Sequence, residues 1–188
     1  MKYLRDQFEK AGGIIKSQTL ERLTDLKNDY TIVANCAGLG SMKLVGDQSM
    51  APIRGQLVRV RAPWVKEFLM GENTTYIFPN SETLVLGGTR QEGDWNTEVD
   101  PEDSLGILQR CNRMLPALAG APVIREWAGL RPWRPTVRLE KEVLQLGGDR
   151  TLPVVHNYGH GGNGISLSWG CAVEAARMTK EIVDELEL

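Results

Sequence analysis

Apolar positions along the chain recur with two different periods, and each period marks a different kind of element. Leu4, Phe8 and Ala11 fall at helical spacing, so residues 2–11 read as a helix closed by Gly12 and Gly13. A charged stretch, residues 20–29, leads into the continuous β-branched run 30–35. Such a run reads as a strand buried on both faces, as in a parallel sheet. It ends in Cys36-Ala37-Gly38-Leu39-Gly40, and the carboxyl ends of strands are where open α/β sheets place ligands.

From Pro52 the period becomes two. Val58 and Val60 alternate with Arg59 and Arg61, and residues 75–78 and 83–86 are further short strands. Asp100-Pro101-Glu102-Asp103 places a capping carboxylate, a proline and two acids at a helix start, and that helix runs to Met114, before Pro116. Two more strands, 123–127 and 137–146, complete an antiparallel sheet. A short buried strand at 152–156 then leads through a glycine-rich turn to a long helix. On that helix Ala172, Ala175, Ala176, Thr179, Ile182, Val183 and Leu186 form one stripe. The fold class is α/β plus α+β. An α/β lobe at residues 1–51 is resumed at 148–188, and an antiparallel-sheet lobe is inserted at 52–147.

Composition narrows the function classes. The 188 residues carry 22 Lys plus Arg against 24 Asp plus Glu, a net charge of −2, so electrostatics point to neither a nucleic-acid nor a membrane partner. With 41% hydrophobic and 24% charged residues the chain is globular in type. Cys36, Cys111 and Cys171 are odd in number and form no CxxC pair, which disfavours a disulfide framework and a zinc knuckle. No apolar run approaches the ~18 residues of a membrane helix, and MKYLRDQFEK does not read as a secretion signal.

Four clusters could carry chemistry. Gly161, Gly162 and Gly164 precede the last helix and let backbone approach a planar or anionic group, although a flexible helix cap is an equal reading. Arg131 and Arg134 lie in Gly129-Leu130-Arg131-Pro132-Trp133-Arg134-Pro135. On a strand they face opposite sides, so at most one enters a given pocket, and taken alone both read as surface arginines. Arg90 ends a strand within Gly87-Gly88-Thr89-Arg90-Gln91, and Tyr76 lies on another strand. His156 and His160 read best as buried, hydrogen-bonded histidines. No metal site and no hydrolase triad has support.

Taken together these segments resemble a known family. His156-Asn157-Tyr158-Gly159-His160-Gly161-Gly162-Asn163-Gly164-Ile165-Ser166, Pro52-Ile53-Arg54-Gly55-Gln56 and the 129–135 motif resemble, in order, the FAD-dependent D-amino-acid oxidase family. Asn35-Cys36-Ala37-Gly38-Leu39-Gly40-Ser41 and Gly87-Gly88-Thr89-Arg90-Gln91-Glu92-Gly93-Asp94-Trp95-Asn96 resemble its D-aspartate oxidase branch. The resemblance implies flavin-dependent oxidative deamination of D-aspartate and related acidic D-amino acids to a 2-oxo acid, ammonia and hydrogen peroxide. It implies FAD as cofactor, oxygen as co-substrate, and no side chain acting as general acid or base. Arg131 would grip the α-carboxylate with help from the Tyr76 hydroxyl, Arg90 would take the side-chain carboxylate, and Gly162 would adjoin the substrate. FAD would touch Cys36, Ala37, Gly38, Arg131, Gly161, Gly162, Asn163, Gly164, Ile165 and Ser166. Gly162 departs from some members of that branch, which carry a serine there.

The family's opening strand-GxGxxG-helix unit has no counterpart in this sequence. The expectation is therefore a chain holding the substrate lobe and half the flavin site, whose residues serve the chemistry when the missing unit is supplied. Two rivals stand beside it: an oxidase of neutral D-amino acids, and a silent protein that binds acidic ligands. The family location is the peroxisome. The ending Glu185-Leu186-Glu187-Leu188 is no Ser-Lys-Leu-like signal, which leaves the cytosol as the other expectation.

Overall fold

The computed structural model describes residues 1–187. Eight strands form one mixed sheet: β1 (Val33–Asn35), β2 (Ala51–Arg61), β3 (Leu69–Met70), β4 (Tyr76–Pro79), β5 (Thr83–Gly87), β6 (Gln91–Glu92), β7 (Val123–Gln145) and β8 (Thr151–His160). Their order is β1-β8-β7-β2-β5-β4-β3, with β6 beside β2, and the sheet does not close. The four α-helices are α1 (Lys2–Lys10), α2 (Ser41–Leu44), α3 (Pro101–Met114) and α4 (Gly164–Glu185). Among the described residues no helix is long and apolar enough to cross a membrane.

The two ends of the chain meet as the α/β pattern predicts, with β1 parallel to β8 through Val33↔Val154 and Asn35↔His156. Every pairing among β2 to β7 is antiparallel. Residues 52 and 147, expected as lobe boundaries, lie at the start of β2 and in the β7–β8 turn, and one sheet runs through both positions.

Alternation on β2 buries Val58 and Val60 against Ile77, Leu84, Leu86, Ile107 and Cys111, which seats α3 on one face of the sheet. Each buried aliphatic side chain of this kind contributes about 1.5–3 kcal/mol. The start of α3 follows from its local chemistry: Asp100 Oδ1 accepts from Glu102 N at 2.8 Å and Asp103 N at 3.4 Å, and Pro101 occupies the first turn. The sheet's other face carries the site.

Several sequence expectations are corrected. The strand expected at 30–35 is only Val33–Asn35, an edge strand with Ala34 exposed and not buried on both faces. The two strands expected at 123–127 and 137–146 are one: Pro132 stands opposite Pro52 of β2 in regular register, and Pro135 falls within the register shift against β8 between Trp133 and Arg138. The 152–156 strand extends to His160. On α4 only Ala175 and Ile182 of the predicted stripe are buried.

Candidate functional site

Three adjacent strands build the floor of the site. Ile53 of β2 pairs with Arg131 of β7 on one side and with Glu92 of β6 on the other. Residues directly opposite in a ladder share a face, so all three lie on the face away from α3. The Arg131 guanidinium lies over Gly55, where any Cβ would collide with it. Its Nη1 donates to the Arg54 and Thr89 carbonyls at 3.4 and 3.2 Å. Tyr76 is treated the same way, because Gly87 lies directly opposite on β5 and a Cβ there would meet the phenol ring. Two glycines thus let a cation and a phenol lie flat on the sheet. Burial pushes the Tyr76 hydroxyl above its ordinary pKa of 10.0 although the nearby Arg131 charge opposes this, so it is a neutral donor at pH 7.

Above this floor is a cavity of about 590 Å³. Arg131, Tyr76 and Arg90 line it together with Gly161, Gly162 and Asn163, which precede α4. Gly162 adjoins the arginine directly: a Cβ there would stand 3.5 Å from Arg131 Cδ. The sequence also predicts that only one of Arg131 and Arg134 reaches a given pocket, and the structure corrects this. The register shift lets both line the cavity, with Arg134 Nε donating to Asp47 Oδ2 at 3.0 Å. Arg90 lines the cavity, and its Nη2 donates to Glu92 Oε1 at 2.8 Å.

The remaining predicted residues divide. Gly164, Ile165 and Ser166 form the first turn of α4, with Ile165 84% exposed. Cys36 faces a separate groove against Ala172, Ala175 and Ala176 of α4, while Gly38 packs on Pro132. Cys36, Ala37 and Gly38 do not line the main cavity. The 161–163 turn runs directly into α4, and neither has a side-chain cap or an acid in its first turn, so the positive end of the helix carries no counter-charge of its own. His156 is buried and hydrogen-bonded as expected. His160 is not: its Nε2 is shut from solvent with no partner, in a residue that lines the cavity.

Beneath the floor lies a buried polar network that the sequence reading does not anticipate. Arg54 is 1% exposed. Its guanidinium donates to Gln91 Oε1 at 2.6 Å, Asp103 Oδ2 at 2.7 Å, Gln56 Oε1 at 2.7 Å and the carbonyls of Asn96 and Glu98 at 2.9 and 2.8 Å. Thr89 joins it, its Oγ1 accepting from Gln56 N at 2.9 Å and donating to Gln91 Oε1 at 3.2 Å. The carbonyl that Thr89 offers to Arg131 is held in place by these bonds. The Pro-Ile-Arg-Gly-Gln motif is the one signal that could have pointed here, since an arginine inside an alternating strand needs partners when buried.

A second chain of polar contacts ties β1, β8 and β7. Tyr158 donates to Asp47 Oδ2 at 2.8 Å and accepts from Arg138 Nη1 at 2.9 Å. Arg138 Nη2 donates to Glu142 Oε2 at 2.9 Å, and the same oxygen lies 2.8 Å from His156 Nε2. The tautomer follows from the far end. Ala37 N can only donate, so Asn35 Oδ1 accepts from it at 3.2 Å. Asn35 Nδ2 then donates to His156 Nδ1 at 3.2 Å, which places the imidazole proton on Nε2, facing Glu142. Burial lowers the His156 pKa below its ordinary 6.5, against the pull of Glu142. Burial acts to raise Asp47, but the hydrogen bonds from Tyr158, Ser49 and Arg134 outweigh it and hold the carboxyl below 3.8.

Residues 1–178 match the family described as FAD dependent oxidoreductase. Human D-aspartate oxidase is 49% identical over 185 residues, a match covering 98% of this chain and 54% of that protein. The D-amino-acid oxidase of Rubrobacter xylanophilus is 46% identical over 180 residues, covering 94% of this chain and 54% of its own length. Among solved structures, glycine oxidase from Geobacillus kaustophilus aligns with a TM-score of 0.71 at 25% identity, over 80% of this chain and 41% of that one. The chain spans about half the length of the curated relatives it matches.

Proposed function

The chain belongs to the FAD dependent oxidoreductase family, and from that premise we propose that it serves the oxidation of D-amino acids, dicarboxylic ones such as D-aspartate first. The observation that carries this reading is the shared cavity of Arg131 and Arg90 beside the 161–163 turn. The polar partners of Arg131 are two carbonyls and not a carboxylate, so its charge is available to an anion. A guanidinium held flat on Gly55 presents its edge for two parallel hydrogen bonds to an α-carboxylate. The neutral Tyr76 hydroxyl donates to the same group, and Arg90 receives the side-chain carboxylate.

FAD fits the donor set. The helix start at 161–164 has no side-chain cap and His160 Nε2 has no partner, so both have hydrogen-bonding capacity for a bound group. Residues 161–166 and Arg131 would hold its ring, with Cys36, Ala37 and Gly38 a further contact. When bound, FAD supplies the acceptor for the electron pair that leaves the substrate Cα–H. The chain's own residues orient Cα and fix both carboxylates. No side chain need act as general base in this reading, because the substrate ammonium gives up its proton before or on binding. The imine left on the substrate takes up water and releases a 2-oxo acid and ammonia, while oxygen receives the electron pair and becomes hydrogen peroxide. Peroxide release suits the peroxisome proposed from the family resemblance, with the cytosol as the alternative.

The Arg90–Glu92 pair favours a second reading, an oxidase of neutral D-amino acids, because it already supplies Arg90 with a carboxylate. Peroxide formation by the FAD-loaded protein from D-aspartate and D-alanine separates the two. Preference for D-aspartate that falls about tenfold or more in Arg90→Ala supports the first reading. Equal turnover of both substrates, unchanged in that variant, removes it. A flavin absorbance spectrum without turnover of either substrate would identify a silent binding protein.

A further inference from the structure

We infer that Glu92 is a specificity-determining residue: it is an internal carboxylate that occupies Arg90 when no dicarboxylic substrate is present and must be displaced when one binds. The inference rests on the reading of Arg90 given above.

Strand geometry makes the pairing systematic. β6 pairs with β2 through Ile53↔Glu92 and Arg54↔Gln91. Gln91 therefore turns to the far side, where Arg54 holds its Oε1 at 2.6 Å and its Nε2 donates to Asp103 Oδ2 at 3.0 Å. Glu92 turns to the side of Ile53 and Arg131. Arg90, two residues back, shares that side, and the two side chains meet at 2.8 Å. The backbone at 89–92 is pinned from below, while the Arg90 and Glu92 side chains are 50% and 69% exposed. Side-chain rotation alone can thus exchange one partner of Arg90 for another. Arg90 lines the cavity and Glu92 lies outside its lining, so the arginine stands between an internal carboxylate and the position for an external one.

The consequence is a handicap specific to dicarboxylates. A neutral D-amino acid leaves the pair intact. A dicarboxylic one breaks it before gaining Arg90, and an exposed ion pair of this type is worth enough to change affinity by about two- to five-fold.

The test uses the FAD-loaded enzyme and four forms: wild type, Glu92→Gln, Arg90→Ala and the double variant. Glu92→Gln lowers KM for D-aspartate two- to five-fold, leaves kcat and the D-alanine KM unchanged, and tightens Kd for succinate, a non-reacting dicarboxylate, by the same factor. In the Arg90→Ala background Glu92→Gln has no effect on either ligand. An unchanged D-aspartate KM in Glu92→Gln, with a raised one in Arg90→Ala, overturns the role of Glu92 and leaves that of Arg90 standing. Equal shifts for D-aspartate and D-alanine also overturn it, since they report general charge and not competition. If Arg90→Ala itself leaves D-aspartate binding unaltered, the underlying reading of Arg90 fails instead.

Discussion

The Arg131 guanidinium rests on Gly55 of the neighbouring strand, in the space that a side chain of any other residue would fill. The contact explains why a glycine stands in the middle of a long strand, where it costs about 0.5–1 kcal/mol relative to alanine. The absent Cβ is what allows the cation to lie flat and face the cavity.

Gly55→Ala is therefore expected to act on binding through Arg131. The methyl group lifts the guanidinium from the sheet and from the Arg54 and Thr89 carbonyls. Steady-state assays should show KM rising about tenfold or more for D-aspartate and D-alanine alike, because both carry the α-carboxylate. Overpacking of about 1–3 kcal/mol lowers Tm in parallel. A rise confined to D-aspartate would contradict this account.

Tyr76→Phe keeps the ring on Gly87 and removes only the hydroxyl. A hydrogen bond to a charged group is worth about 1.5–3 kcal/mol, so KM should rise about tenfold or more with Tm little changed. Because the Tyr76 pKa is raised, the wild-type profile should show no loss of binding from this group between pH 7 and its ordinary value of 10.0.

Arg54→Met tests the network under the floor. It strands Asp103 and Gln91 without their shared cation and should cost about 3–5 kcal/mol in denaturant unfolding. Asp103→Asn, which keeps a hydrogen-bond acceptor for Arg54, should cost clearly less.

Two buried groups contribute to the acid limb of stability. The Asp47 pKa is lowered on folding, so its contribution is present above its unfolded value near 3.8 and is lost as pH falls through the lower folded value. Asp47→Asn should cost about 1–3 kcal/mol at pH 7, a difference that shrinks as wild type enters that window. The His156 pKa is also lowered, so the unfolded chain takes up a proton first as pH drops below 6.5, and stability falls from there toward the folded value. His156→Gln should flatten that part of the curve, measured as unfolding free energy from pH 7.5 to 4.5.

Local chemistry was legible from the residues alone. Asp100-Pro101-Glu102-Asp103 announces α3 because a cap is made by atoms two or three residues apart. The same locality misled over 128–136: the segment between the two expected strands belongs to one strand, with Pro132 in register against β2 and Pro135 inside the shift against β8. Arg131, Tyr76 and Arg90 were found through family resemblance, since nothing in their spacing separates them from surface residues. Arg54 was missed because its side-chain partners Gln91 and Asp103 lie 37 and 49 residues away.

What the sequence determined by itself was the two periods, the caps, the glycine turn before α4 and a set of candidate residues. The tertiary structure decided which of them share a cavity: Arg131 over Gly55, Tyr76 over Gly87, Arg90 against Glu92, with Cys36 in a separate groove. The reason is register. A one-residue slip in a strand sends every side chain to the opposite face. The pairing of Ile53 with both Arg131 and Glu92 is a property of three strands at once, and no single stretch of chain encodes it.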